Sequence, residues 1–149
     1  MKRTPLKKES KTANKLREKK LDRAYQDYFR EVCEEGNIPC EVCGKPMNLV
    51  HHFIEKSQCV NLRYNPINFV PLCSSCHFKI HMVGDYTGIA KITLRRGKKW
   101  FDKLQEIKKL VGHKDKATYD RAEEQLIKLK SNDFYLMELV ETYQKLKHF

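Results

Sequence analysis

Two Cys-x-x-Cys pairs, Cys40/Cys43 and Cys73/Cys76, are separated by 29 intervening residues and constrain this chain more than any other feature. Four thiols at knuckle spacing collect one Zn²⁺ in a closed tetrahedron, with Zn–S bonds of ~2.3 Å. Four protein ligands leave no open position, so the site is expected to be structural. It would tie the segment after Cys43 to the one that follows Cys76. Disulfides, the other use of such cysteines, belong to oxidising compartments. The basic N-terminus has no apolar run behind it and does not read as a secretory signal. No stretch approaches the ~20 apolar residues of a membrane span. A cytoplasmic, reducing setting is therefore expected, with Cys33 and Cys59 left as unpaired thiols.

A second set of metal-type residues is interleaved with the first: His51-His52, Asn68 and His77-x-x-x-His81. His77 and His81 are four apart on an expected helix, so both imidazoles reach one cation. His51 and His52 are neighbours on an expected strand and point to opposite faces. One can join a metal while the other stays free, and a free imidazole beside a metal is a natural general base. A single histidine is ordinarily a satisfied surface or core residue. Four of the six histidines fall in this one window.

The 149 residues suit one compact domain, or a small domain with helical additions. The expected class is α+β and mostly helical. Residues 1–10 read as a basic disordered arm, 11–36 as a helix, 37–90 as the metal-bearing core, and 91–149 as a basic and amphipathic helical region. In the first helix Leu21, Tyr25, Tyr28, Phe29 and Val32 share a face, and helical spacing makes this stripe core rather than a platform for bases. Gly36 and Asn37 end it. A strand is expected over Met47–Ile54, a loop over Glu55–Pro66, an extended segment over Asn68–Cys73, and a helix from a Ser74 or Ser75 cap to Met82. Gly84 and Gly88 break the pattern. A helix over Gly97–Val111 follows, with Trp100, Leu104, Ile107 and Val111 on one face. Thr118 caps the next and Asn132 the last, which carries Leu136, Leu139, Val140, Tyr143 and Leu146.

The net charge of +11 is concentrated. Residues 1–20 carry +7 and residues 91–110 carry +6, around a centre of −2. Basic blocks of this kind suit phosphate, because neutralising it releases condensed counterions. A solvated lysine-rich tail has the same composition.

The run Val50-His51-His52-Phe53, then Asn68-Phe-Val-Pro-Leu-Cys73-Ser-Ser-Cys76-His77-Phe-Lys-Ile-His81, resembles the HNH endonuclease motif in its ββα-metal form with an embedded zinc ribbon. The resemblance covers about residues 38–82, and the Asn68, His77, His81 spacing is similar to that of the colicin-type DNase branch. It implies two strands and a helix around one catalytic metal. It implies His52 as general base, His51, His77 and His81 as ligands of that metal, and Asn68 as the residue that holds the loop and orients the His52 ring through a backbone contact. His77 adjoins Cys76, so metal and substrate are both open to it. Cleavage would leave 5′-phosphate and 3′-hydroxyl ends. The implied cofactors are structural Zn²⁺ and a catalytic divalent cation. Three imidazoles favour Mn²⁺, Ni²⁺ or Co²⁺ over Mg²⁺. The opening Met-Lys-Arg-Thr-Pro-Leu-Lys resembles small phage-encoded HNH proteins and Rap-type recombination nucleases, which implies a bacteriophage or prophage setting.

The expected partner is DNA, gripped by the arm and by Lys91–Lys109. Lys56, Arg63, Lys79, Arg95, Arg96, Lys98 and Lys99 are the candidate backbone contacts. Two other readings stand beside a general endonuclease: a non-catalytic zinc-ribbon DNA-binding accessory protein, and a structure-selective nuclease of branched DNA. The chain would act as a monomer, or as a homodimer through Leu136, Val140 and Tyr143.

Overall fold

The structure is a computed structural model that describes residues 6–131, 137, 138, 140–142 and 145. Element order is α1 (Leu6–Glu35), β1 (Leu49–His52), α2 (Val60–Arg63), a 3₁₀ turn (Pro66–Asn68), β2 (Phe69–Leu72), α3 (Ser74–Phe78) running into a π turn (Lys79–Val83), α4 (Thr87–Arg96), α5 (Lys98–Lys109) and α6 (Lys116–Ser131). The class is α+β and mostly helical. No described helix is long and apolar enough to cross a membrane.

The first helix begins earlier than the basic composition implies, at Leu6. Lysine and glutamate are good helix formers, so positive charge alone does not keep residues 6–10 out of the helix. Leu21, Tyr25, Phe29 and Val32 are buried, as the stripe predicts, and Tyr28 packs beside them. Leu21, Tyr25, Tyr28 and Phe29 meet Tyr119, Ala122, Leu126 and Leu129 of α6. Each tyrosine hydroxyl donates across this contact, Tyr25 to the Ala122 carbonyl at 2.8 Å and Tyr28 to that of Leu129 at 2.8 Å. Asn37, at φ +50, takes the left-handed position that closes α1.

β1 and β2 form an antiparallel pair with Leu49 opposite Leu72, Val50 opposite Pro71, His51 opposite Val70 and His52 opposite Phe69. Val50 and Pro71 turn their backbone groups away from each other: the Gln26 side chain of α1 takes the amide and carbonyl of Val50, and the Pro71 carbonyl accepts the Glu41 amide at 2.9 Å. A two-stranded sheet is marginal alone, and here a helix side chain satisfies one edge. Asn48 joins the sheet to α3 by accepting the Ser74 amide at 2.9 Å.

Several boundaries differ from the sequence expectation. Cys73, not a serine, caps α3, because its sulfur accepts the Cys76 amide at 3.4 Å. The Glu55–Pro66 loop contains α2. Gly88 lies inside α4 rather than breaking the chain, since Val42 and Ile80 pack where a side chain would stand. Val111 is 82% exposed and past the end of α5, whereas Leu104 is fully buried. Asp115 caps α6, accepting from the Thr118 amide and hydroxyl, both at 2.9 Å, so Thr118 sits in the first turn. Of the expected last helix, Val140 packs on the α1 core. Asn132, Leu136, Leu139, Tyr143 and Leu146 lie outside the described residues.

Candidate metal centres and reaction cleft

The first knuckle is a turn in which the Gly44 amide donates to the Cys40 carbonyl at 2.9 Å, with Gly44 at φ +75. The second forms the first turn of α3. The ligand atoms of Cys40, Cys43, Cys73 and Cys76 lie within 4.8 Å of one another, and the Cys43 and Cys73 sulfurs are 3.6 Å apart. Sulfurs sharing a zinc at ~2.3 Å stand about 3.8 Å apart, so the set fits that ion. The electrostatics point the same way. Burial pushes the Cys40 thiol up, and burial and the neighbouring thiols do the same for Cys76. Burial also opposes ionisation of Cys73, but the Cys76 amide and the adjacent thiols outweigh it and leave Cys73 at about 7. Four crowded thiols cannot all ionise without a cation to balance them.

On the face of the strand pair that Val70 and Leu72 share with the cysteines, His51 from β1 meets His77 from α3 and His81 from the π turn. One ring nitrogen from each lies within 4.8 Å of the others, and His81 Nε2 is 3.2 Å from His51 Nδ1. Two imidazoles on one metal, at ~2.0–2.1 Å each, stand about 3.3 Å apart. His51 is 4% exposed, and its Nε2 has no hydrogen-bond partner. Burial, then the neighbouring His81, His77 and His52, lowers its pKa to about 3. Burial and His81 lower His77 as well. Three imidazole donors converging on one point suit a transition-metal cation.

His52 points to the opposite face. Its Nε2 donates to the Arg63 carbonyl at 3.0 Å, which fixes the proton on Nε2 and leaves Nδ1 as the acceptor. Burial lowers it to about 4, against a smaller upward pull from the Arg63 carbonyl, so the ring is neutral at pH 7.

Asn68 is fully buried and holds the loop directly: Oδ1 accepts from the Ile54 amide at 2.7 Å, and Nδ2 donates to the Ile54 and Leu62 carbonyls at 2.9 and 3.3 Å. The contact on the His52 ring expected from Asn68 comes instead from Arg63. Asn68 acts one step back, by fixing both ends of the loop.

His51, His52, His77 and His81 line one cleft of about 690 Å³ with Lys56, Arg63, Gln26 and Lys114. Three expected DNA contacts have internal partners. Arg63 is 8% exposed, its guanidinium held by Asp22 at 2.9 and 2.7 Å and by Glu18 at 3.2 Å. Arg96 grips buried Glu41 through two bonds of 2.8 Å, donates to the Phe69 carbonyl at 3.0 Å and lies 4.9 Å from the Trp100 ring centre. Arg95 donates to the Glu41 carbonyl. These arginines hold the fold. Lys79, Lys98 and Lys99 are exposed and away from the cleft lining, and Lys98 pairs with Asp102 at 2.7 Å. Lys56 is at the rim, 3.6 Å from Asp22. Sequence reasoning missed Gln26, Asp22 and Lys114. The first two share a helix face by spacing, while Lys114 gives no local signal.

Residues 40–82 match the family described as HNH endonuclease, and this stretch is an HNH endonuclease domain whose four cysteines are consistent with a zinc ribbon. The chain is also similar to a mitochondrial DNA mismatch repair protein mutS homolog of Sarcophyton glaucum, at 46% identity over 46 residues. That stretch is 28% of this chain and 5% of the other protein. No solved structure gives a significant match.

Proposed function

We propose that this chain is a metal-dependent DNA endonuclease that hydrolyses phosphodiester bonds to 5′-phosphate and 3′-hydroxyl ends. The observation that carries the reading is the convergence of His51, His77 and His81 within 4.8 Å, with His52 beside them in the same cleft. A binding module needs only the four cysteines. The imidazole cluster is extra, and its chemistry is catalytic.

His51, His77 and His81 would hold the catalytic divalent cation, and Cys40, Cys43, Cys73 and Cys76 the structural zinc. When bound, the catalytic cation would polarise the scissile phosphate and offset charge on the departing 3′ oxygen. His52 takes a proton from the attacking water at Nδ1, the nitrogen left free by its bond to Arg63. Arg63 and Asn68 keep that ring and its loop in place. Lys56, at the cleft rim, reaches a neighbouring phosphate. Three imidazoles predict that Mn²⁺, Ni²⁺ or Co²⁺ supports activity at least as well as Mg²⁺.

Plasmid nicking by the wild type and by His52→Ala in Mn²⁺ tests the reading. The wild type is expected to nick, leaving ends that ligase reseals, with the variant down ~10²–10⁴-fold. Plasmid that both proteins bind and leave intact would make the chain a zinc-ribbon DNA-binding accessory instead.

A further inference from the structure

The charges around His52 nearly cancel. Lys56, Arg63 and Lys114 face Asp22, Glu18 and Glu55, and Arg63 is fully committed to Asp22 and Glu18. The cleft itself therefore offers little net attraction to a polyanion. A second cavity, of about 460 Å³, adjoins it and is lined by Lys11, Asn14, Lys15, Glu18, Lys114 and Tyr119. Lys114 borders both cavities. It comes from the connection between α5 and α6 and is held loosely by Glu18 at 3.7 Å.

One face of α1 runs beneath this path. Lys11, Lys15, Glu18, Asp22 and Gln26 follow steps of four, three, four and four residues, which keeps them on a single side. Gln26 lines the reaction cleft and Lys11 the far end of the second cavity. At 1.5 Å per residue they are separated by about 22 Å, or roughly six nucleotides of one strand. The acidic residues of this face are engaged by Arg63, with Asp22 also 3.6 Å from Lys56 and Glu18 3.7 Å from Lys114. Lys11 and Lys15 are exposed and have no acidic partner among the described residues.

We propose that this groove, from His52 over Lys114 to Lys11 and Lys15, is the track for the DNA sugar-phosphate backbone on one side of the cut. It rests on the endonuclease reading and deepens it. The second basic segment, Lys91–Lys109, supplies none of the residues lining either cavity. Contacts to phosphate position the duplex without reading sequence, and lysine makes them as a point charge, so the track is sequence-independent.

Anisotropy of a short fluorescent DNA duplex, in buffer holding zinc-loaded protein and no added divalent cation, tests the track as a function of salt. Removing three phosphate contacts should flatten the plot of log affinity against log salt by about 2.7. That flattening is expected for the triple variant Lys11→Ala, Lys15→Ala, Lys114→Ala, with arginine at the same positions restoring the slope. The control Lys103→Ala, Lys108→Ala, Lys128→Ala removes equal charge elsewhere and should keep it. Equal slopes for the two alanine triples would overturn the track. Failure of the wild type to nick plasmid contradicts the endonuclease reading alone, because this binding measurement needs no cleavage.

Discussion

His52 and Arg63 are joined through the backbone: the imidazole Nε2 donates to the Arg63 carbonyl at 3.0 Å. The guanidinium of the same arginine is anchored 41 positions away by both carboxylate oxygens of Asp22. The N-terminal helix thus helps to fix a histidine of the HNH domain through Arg63.

Asp22→Asn should therefore weaken both fold and chemistry. Glu18 remains 3.2 Å from Arg63. The stability loss is therefore expected at about 2 kcal/mol, below the ~3–5 kcal/mol of a buried pair broken outright. Urea unfolding checks it. Turnover should fall on the order of tenfold, as for other groups that orient a reacting residue. KM should change little, and an unchanged turnover would mean that Asp22 serves only the fold.

Burial holds His52 at about 4 in the folded protein, whereas an unfolded histidine titrates near ~6.5. The folded state binds fewer protons, so this contribution is complete above pH ~6.5 and is lost as pH falls toward about 4. Between pH 7.5 and 5.5 it amounts to about 1 kcal/mol. Urea midpoints at the two pH values should drop further for the wild type than for His52→Gln. Equal drops would show that His52 is not buried as described.

Arg96 separates a structural cation from a DNA contact. Its bidentate bond to Glu41, which is 4% exposed, predicts that Arg96→Met costs on the order of 3 kcal/mol by leaving a buried carboxylate unpaired. The salt dependence of DNA binding should stay as in the wild type. A flatter salt dependence without loss of stability would return Arg96 to the DNA surface.

The four-cysteine cluster packs with Val70, Leu72, Ile80 and Ile92, and Trp100 lies against this group. Chelating the zinc should release that packing and red-shift the emission of the single tryptophan. The α1–α6 pair, with its own core, should keep most of its helical circular dichroism. An unmoved Trp100 spectrum after complete zinc loss would deny the cluster its structural role.

The parts of the site legible in the sequence are those set by short-range geometry. Knuckle spacing places the thiols, the four-residue step places His77 with His81, and strand alternation turns His51 from His52. What was not legible depends on pairing across the fold. Arg63 and Arg96 look like surface charge until Asp22 and Glu41, 41 and 55 positions away, are brought to them. Gly88 reads as a breaker until Val42 and Ile80 fill the space beside it. Cys73 caps α3 because its thiol is already turned inward, which no cap preference for serine anticipates.

In the proposed mechanism two metal centres divide the work, with cysteines holding the fold and histidines doing the chemistry. Metal content and Mn²⁺-dependent plasmid nicking of the wild type and His81→Ala test it together. One tightly held zinc per chain is expected in both proteins, with nicking by the wild type alone. Equal nicking by His81→Ala, with that zinc still in place, would contradict it.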